Sequence, residues 1–296
     1  MRAYYCDEFV LPLPTGHRFP MSKYSRLRER VVEEGILTIA QLFVPAAASR
    51  DDLLRVHDVG WVDRVLAGEL SRSEVRKLGF PWSPKLVERS RRSVGATIEA
   101  MRSAREDGTA VNLAGGTHHA MADAGAGFCV FNDVAVATRV AQAEGLTRIA
   151  VLDTDVHQGD GTAAIFEGDD SVLTVSIHGA RNFPLEKQVS DLDLPLPDDT
   201  EDDGFLAALA DGLAALGDFE PELVFHVAGA DPLASDKLGR LSVSKVGLAE
   251  RDRRVVRWCR EGGVPLVAVM AGGYAALVED TVDVHVGTVR AMAAAR

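Results

Sequence analysis

The sequence predicts an α/β fold in a single domain: a central, mostly parallel sheet with helices on both faces. Three observations carry that expectation. From residue 110 onward, short apolar runs rich in β-branched residues alternate with segments of helical period. Four of those runs end in stretches that hold histidine, aspartate or tyrosine beside glycine, and open parallel sheets bind ligands beyond the carboxyl ends of their strands. No repeat, low-complexity segment or linker interrupts the 296 residues, so 1–296 reads as one domain.

Taken in order, residues 1–50 open with a short apolar run and a turn region holding Pro12, Pro14, Gly16 and Pro20. The stretch His17-Arg18-Phe19-Pro20-Met21-Ser22-Lys23-Tyr24 is dense in functional side chains, but by itself it reads as a surface loop before a helix carrying Leu27, Val31 and Val32. Between 51 and 67 the spacing of Leu53, Leu54, Val56, Trp61, Val62, Val65 and Leu66 predicts helical segments broken near Gly60. Ser83 is a good N-cap and Pro84 suits a first helical position. Val87, Val94, Ile98 and Met101 then mark the buried side of a helix, and Arg89, Arg91 and Arg92 read as its solvated face. A strand at 110–114 runs into Gly115-Gly116-Thr117-His118-His119, and a helix at 133–143 leads to a strand at 149–152. Another strand, 171–177, ends at His178. A helix at 205–216 precedes a strand at 223–227 that ends Ala228-Gly229-Ala230-Asp231. A helix at 246–260, a strand at 264–270 ending Ala271-Gly272-Gly273-Tyr274, and a helix at 278–295 complete the chain.

Bulk composition narrows the function. The chain is 47% hydrophobic and 26% charged, ordinary for a globular protein. Its net charge is −12 with no long basic run, which argues against nucleic acid and, summed over the surface, leans toward a cationic substrate. No run approaches the ~20 apolar residues of a membrane span, and the N-terminus lacks a signal-peptide core. Cys6, Cys129 and Cys259 form neither a disulfide framework nor a metal clip, so a reducing cytoplasm is expected.

The chemistry centres on Asp153-Thr154-Asp155-Val156-His157-Gln158-Gly159-Asp160-Gly161-Thr162. In extended chain, residues two apart share a side, so Asp155 and His157 can reach one point beyond the strand end. Carboxylate oxygen with imidazole nitrogen suits a divalent transition metal, zinc or iron. A polar loop that merely caps the next helix would explain these residues equally well, were it not for the other strand ends. A catalytic zinc takes three protein ligands and keeps one position open, and Asp155, His157 and Asp231 would supply them. His118 and His119, being adjacent, could be further ligands or a proton-transfer pair, with Asp153 and Asp160 as the acids that orient the rings. Metal, water, oriented histidine and the Tyr274 hydroxyl are the parts for hydrolysing an unactivated carbonyl compound.

Gly115-Gly116-Thr117-His118-His119-Ala120, Gly127-Phe128-Cys129, Asn132-Asp133-Val134, Asp153-x-Asp155-x-His157-x-Gly159-Asp160-Gly161, Ala228-Gly229-x-Asp231 and Gly272-Gly273-Tyr274 together resemble the histone deacetylase family. Gly79-Phe80-Pro81-Trp82-Ser83, Asp236-Lys237-Leu238-Gly239-Arg240-Leu241 and the early His17–Tyr24 stretch look like its class IV branch and bacterial relatives. The resemblance runs through nearly the whole chain and implies an arginase/deacetylase-like fold. It implies one zinc on Asp155, His157 and Asp231, pairing of His118 with Asp153 and of His119 with Asp160, His119 as general base and Tyr274 as oxyanion donor. Gly127, Phe128 and Phe183 match the walls of a narrow substrate tunnel. A potassium ion beneath the zinc is also implied, at Asp153, Ser176 and the backbone of Asp155, His157 and Ile177.

The expected function is therefore removal of an acetyl or longer acyl group from lysine or a related amine by zinc-activated water. An acetylpolyamine or other small-molecule amidohydrolase is the alternative. A two-manganese ureohydrolase would want further aspartates beside Asp231, where Pro232 and Leu233 stand; a non-catalytic binder of acylated lysine would need neither His119 nor Tyr274. Three positions depart from the family's pattern: Thr154 replaces an aliphatic residue, Ala271 a glycine, and Asp160 the asparagine of class IV relatives. His57, His178, His226 and His285 read as structural or surface histidines, and Gly125-Ala126-Gly127 lacks the third glycine of a dinucleotide fingerprint.

Overall fold

In the computed structural model, which describes residues 1–295, the chain begins with β1 (Arg2–Tyr4), α1 (Ser22–Glu33), β2 (Leu42–Phe43), α2 (Arg50–Leu53), α3 (Val59–Ala67), α4 (Arg72–Leu78) and α5 (Pro84–Asp107). Then follow β3 (Thr109–Asn112), α6 (Asp133–Ala143), β4 (Ile149–Asp153), α7 (Asp160–Phe166), β5 (Val172–Gly179) and β6 (Leu192–Leu196). The chain closes with α8 (Asp202–Phe219), β7 (Leu223–Ala228), α9 (Lys245–Gly262), β8 (Leu266–Met270) and α10 (Val278–Ala293). The eight strands form one sheet in the order β2-β1-β3-β8-β7-β4-β5-β6, and every pairing is parallel.

Strands that are apolar at every position must be covered on both faces. In β4, Ile149 and Val151 join one core while Ala150 and Leu152 join the other. β8 does the same, with Val267 and Val269 against Leu266, Ala268 and Met270. Residues of α3, α5 and α6 fill the first core; those of α1, α8, α9 and α10 fill the second. Strand and helix periodicities thus agree on a doubly covered sheet. Among the described residues no helix is long and apolar enough to cross a membrane.

The start of α5 is as expected: the Ser83 side chain accepts from Leu86 N–H and Pro84 opens the helix. Three expectations are corrected. The helical break falls at residues 54–58, after α2, and Gly60 lies inside α3. The α5 arginines are not a solvated face: Arg89 is buried, donates to the Cys6 carbonyl at 2.9 Å and stands over the Tyr24 ring. Arg91 and Arg92 donate to the Ala48 and Pro45 carbonyls. Finally, the 17–24 stretch is not all surface loop: Ser22–Tyr24 form the start of α1, and Lys23 is only 1% exposed.

Candidate active site

Four adjacent strands, β3, β8, β7 and β4, deliver the polar residues to one end of the sheet. Asp153 is the last residue of β4; one of its oxygens is 2.6 Å from His118 Nδ1 and the other accepts from Asp155 N–H at 3.0 Å. Asp155 in turn accepts from His157 N–H at 3.0 Å and, through its other oxygen, from Gly272 N–H at 2.8 Å. Asp231, after β7, accepts from Val156 N–H at 3.0 Å. Each carboxylate is thus aimed by backbone N–H groups: Asp153 from its own strand end, Asp155 from its own and from the end of β8, and Asp231 from the end of β4. Small residues permit the approach: a Cβ on Gly272 would lie 1.7 Å from Asp231 Oδ2, and one on Gly229 would meet Asp155 and Asp231.

Asp155, His157 and Asp231 bring one ligand atom each to within 4.8 Å of one another. His157 Nδ1 is 2.9 Å from Asp155 Oδ1 and 3.2 Å from Asp231 Oδ2. A single ring nitrogen cannot bond both, and Asp231 Oδ2 is buried with no hydrogen-bond partner. An orphaned buried carboxylate oxygen is costly, and a divalent cation among these three groups would satisfy it; the donor set fits such an ion. Electrostatics agree. Burial and the charge of Asp155 push Asp231 up to about 7. Burial opposes protonation of His157, but the bond to Asp155 and the adjacent carboxylate of Asp231 raise it to about 10. Two buried carboxylates thus hold a proton on His157 that a cation would displace.

Behind this group, the two histidines differ. Burial would lower His118, yet the charges of Asp153 and Asp155 raise it to about 9. His119 has Nδ1 2.6 Å from Asp160 Oδ1; burial and then the charge of His118 lower it to about 4, against the pull of Asp160. The pair therefore sets a charged imidazole beside a neutral one. The 115–119 turn that carries them is held by Asp133, which accepts from Thr117 N–H at 2.7 Å and Gly116 N–H at 3.2 Å.

Tyr274 is half-buried on the wall of the same pocket, with burial and then the charges of Asp231 and Asp155 holding its phenol well above its usual ionisation range. The pocket has a volume of about 730 Å³ and includes Gly127, Phe128 and Phe183, as the sequence led us to expect. Gly127 has φ +54°, and a Cβ there would meet the His119 ring at 2.6 Å. The Phe183 ring stands edge-on to His119 with centroids 4.9 Å apart. Asp153 and Ser176 are register partners on β4 and β5, so the residues matched to a potassium site lie together; Ser176 Oγ pairs with His178 Nδ1 at 3.0 Å.

Sequence reasoning missed Lys23. Its Nζ donates to the Ala271 carbonyl at 3.0 Å and lies 5.2–5.5 Å from the centroids of Phe19, Tyr24 and Tyr274. Burial lowers it to about 8 despite the charges of Asp231 and Asp155. The density of unusual residues in 17–24 was the one available signal. Two oddities also explain each other: His226 Nε2 is 3.0 Å from the Thr154 hydroxyl, which in turn donates to the Val227 carbonyl. His57 bonds Met121 and Asn132 through its two nitrogens, a structural role.

Comparison with known proteins fits this geometry. The histone deacetylase domain family matches residues 17–289. An uncharacterized protein of Picosynechococcus sp. is 44% identical over 95% of this chain and 94% of its own length. Histone deacetylase 2 of Arabidopsis thaliana is 32% identical over 90% of this chain and 73% of its own. The crystal structure of an acetylpolyamine aminohydrolase from Burkholderia pseudomallei superposes with a TM-score of 0.83 at 22% identity, covering 100% of this chain and 99% of that one, a likeness of fold. A donor triad beside two histidine–aspartate pairs, on a chain matched by that domain from 17 to 289, leads to one conclusion: the chain belongs to the histone deacetylase family and is a hydrolytic deacetylase enzyme.

Proposed function

We propose that this deacetylase, acting as one unit over 1–296, removes an acetyl or longer acyl group from a lysine side chain or a related amine. In this reading it is a class IV-like member of the bacterial branch, located in the cytoplasm, with one zinc per chain held by Asp155, His157 and Asp231. The single observation that carries the reading is the orphaned Asp231 Oδ2, fully buried beside the Nδ1 of His157, a residue that lines the pocket. A divalent ion bound there would polarise the acyl carbonyl and acidify a water toward a pKa of about 7.

The chain's own residues would do the rest. His119, neutral and fixed through Nδ1 by Asp160, would accept the proton of the attacking water at its free nitrogen. His118, positive beside Asp153, would counter the negative charge of the site and supply the proton that the departing amine needs. Tyr274 would donate to the oxyanion, and Gly127, Phe128 and Phe183 would hold the acyl-amine stem dry. A potassium ion at Asp153, Ser176 and the backbone of Asp155, His157 and Ile177 would brace the loop from below. The three free, buried cysteines are in keeping with a reducing compartment.

The test is a turnover screen of acyl-lysine peptides and acylated polyamines across acyl lengths, with protein reconstituted separately with zinc and iron. Hydrolysis of lysine-linked acyl groups with zinc is the expected result. Turnover of none of these substrates, at full metal loading, would remove the proposal.

A further inference from the structure

The mouth of the pocket carries the opposite charge to the chain. The whole sequence is acidic, at −12, and on that sum a cationic partner is expected. Around the opening, however, stand Arg18, Arg76, Lys77, Arg181 and Arg240, all exposed. The one carboxylate among the pocket's side chains, Asp155, is buried at its floor.

These cations fall in two groups. His17 Nε2 is 2.9 Å from the Gly79 carbonyl, which ties the loop bearing Arg18 to the segment bearing Arg76 and Lys77. That group lies beside Phe128, whose ring is 5.9 Å from His17. Arg181, two residues before Phe183, and Arg240 form the second group and share one acid, Asp198, at 3.3 Å and 3.1 Å. Arg18, Arg76 and Lys77 have no ion pair among the described residues. One carboxylate against five cations leaves the rim strongly positive.

We propose that the substrate is anionic around its acylated amine: an acyl-lysine with acidic residues on both sides of it in a peptide or protein segment. The inference rests on the deacylase reading above and adds a substrate class to it. A single phosphate on a small amine offers one anionic group to a rim that carries two groups of cations. An extended chain, at about 3.3 Å per residue, carries carboxylates to both groups while the acyl-lysine descends between them. An acylated polyamine would instead bring ammonium groups against this rim. Exposed charges of this kind act on encounter and capture more than on the chemical step.

The experiment uses the metal-loaded protein and three acyl-lysine peptides of equal length, flanked by Asp/Glu, by Ala or by Lys/Arg, together with an acetylated polyamine. Turnover and, in parallel, anisotropy of labelled peptides are measured at low and high salt. We expect kcat/KM and affinity to rank acidic over neutral over basic, by about tenfold or more between extremes at low salt, mostly in KM, and to converge at about 0.5 M salt. Arg76→Glu with Lys77→Glu, or separately Arg181→Glu, should compress or invert that order. Equal or better use of basic flanks, a preference that salt does not weaken, or an order that charge reversal leaves intact would overturn the inference. Acidic peptides that bind best yet are not hydrolysed would support it while removing the deacylase reading. Hydrolysis without charge preference would do the reverse.

Discussion

Replacing Tyr274 by phenylalanine would remove one oxygen from the pocket wall and little else. The ring's neighbours are aromatic or cationic: Phe128 at 6.0 Å, Phe19 at 6.2 Å and the Lys23 ammonium at 5.3 Å from its centroid. All three contacts survive in phenylalanine. The backbone is held independently, with Tyr274 N–H donating to Asp236. Stability should therefore stay within about 0.5 kcal/mol, the usual range for a change that breaks no buried network. The phenol itself stays protonated at any working pH, because burial and the charges of Asp231 and Asp155 oppose its ionisation. Losing one such donor to an oxyanion costs roughly 10²–10³-fold in the chemical step, or about 3–4 kcal/mol. Substrate binding should change only a few-fold, since the bond strengthens in the transition state. Single-turnover hydrolysis of the best acyl peptide, with metal content and thermal midpoint measured on the same sample, reads all three. A variant that works within a few-fold of the parent rate, fully loaded and stable, would refute the oxyanion role.

Three further outcomes follow from the same geometry. Asp231→Asn should weaken metal binding by about 100-fold or more, since even outer-shell losses cost 10–100-fold, while the metal-free variant should be no less stable than the parent because a repulsion with Asp155 is gone; unchanged metal content would exclude Asp231 as a ligand. At equal metal loading His119→Ala should lower turnover more than His118→Ala, and the reverse order would exchange their roles. The third concerns acid stability. His57 is buried, which lowers it to about 4 in the folded chain, below the ~6.5 of an unfolded histidine. Its contribution is complete above about pH 6.5 and is lost as pH falls toward 4, up to about 3 kcal/mol. Urea midpoints at pH 7 and pH 5 should therefore differ more for the parent than for His57→Gln, and equal losses would clear His57 of the effect.

Much of the site could be read from sequence because its residues follow strand ends directly. Asp153, Asp155 and His157 share one short run, and the Gly272-Gly273-Tyr274 segment needs small residues wherever the Asp231 carboxylate comes close. The helix read at 133–143 is found at Asp133–Ala143, where the Asn132 side chain accepts from Ala135 N–H. What escaped depended on partners distant in sequence. Nothing local marks Lys23 as buried; its destination is a carbonyl 248 residues away. The α5 arginines look solvated by spacing, yet their guanidiniums are claimed by carbonyls of residues 6, 45 and 48. β2 has two residues and α7 seven, too few for a periodic signal. The basic rim was invisible because whole-chain charge averages over surfaces that no substrate visits.

The strand order also bears on how the protein is made. β8, the last of the eight described strands in chain order, lies between β3 and β7 near the middle of the sheet. Until Leu266–Met270 leave the ribosome, the strands made earlier can form only two half-sheets, each with an unpaired inner edge. Those edges are apolar on both faces and invite pairing with other chains. The Gly272 N–H that aims Asp155 arrives with the same segment, so one oxygen of that carboxylate lacks its backbone partner until β8 is in place. Placing β8 between β3 and β7 requires long-range closure at high contact order, the kind of step that slows folding.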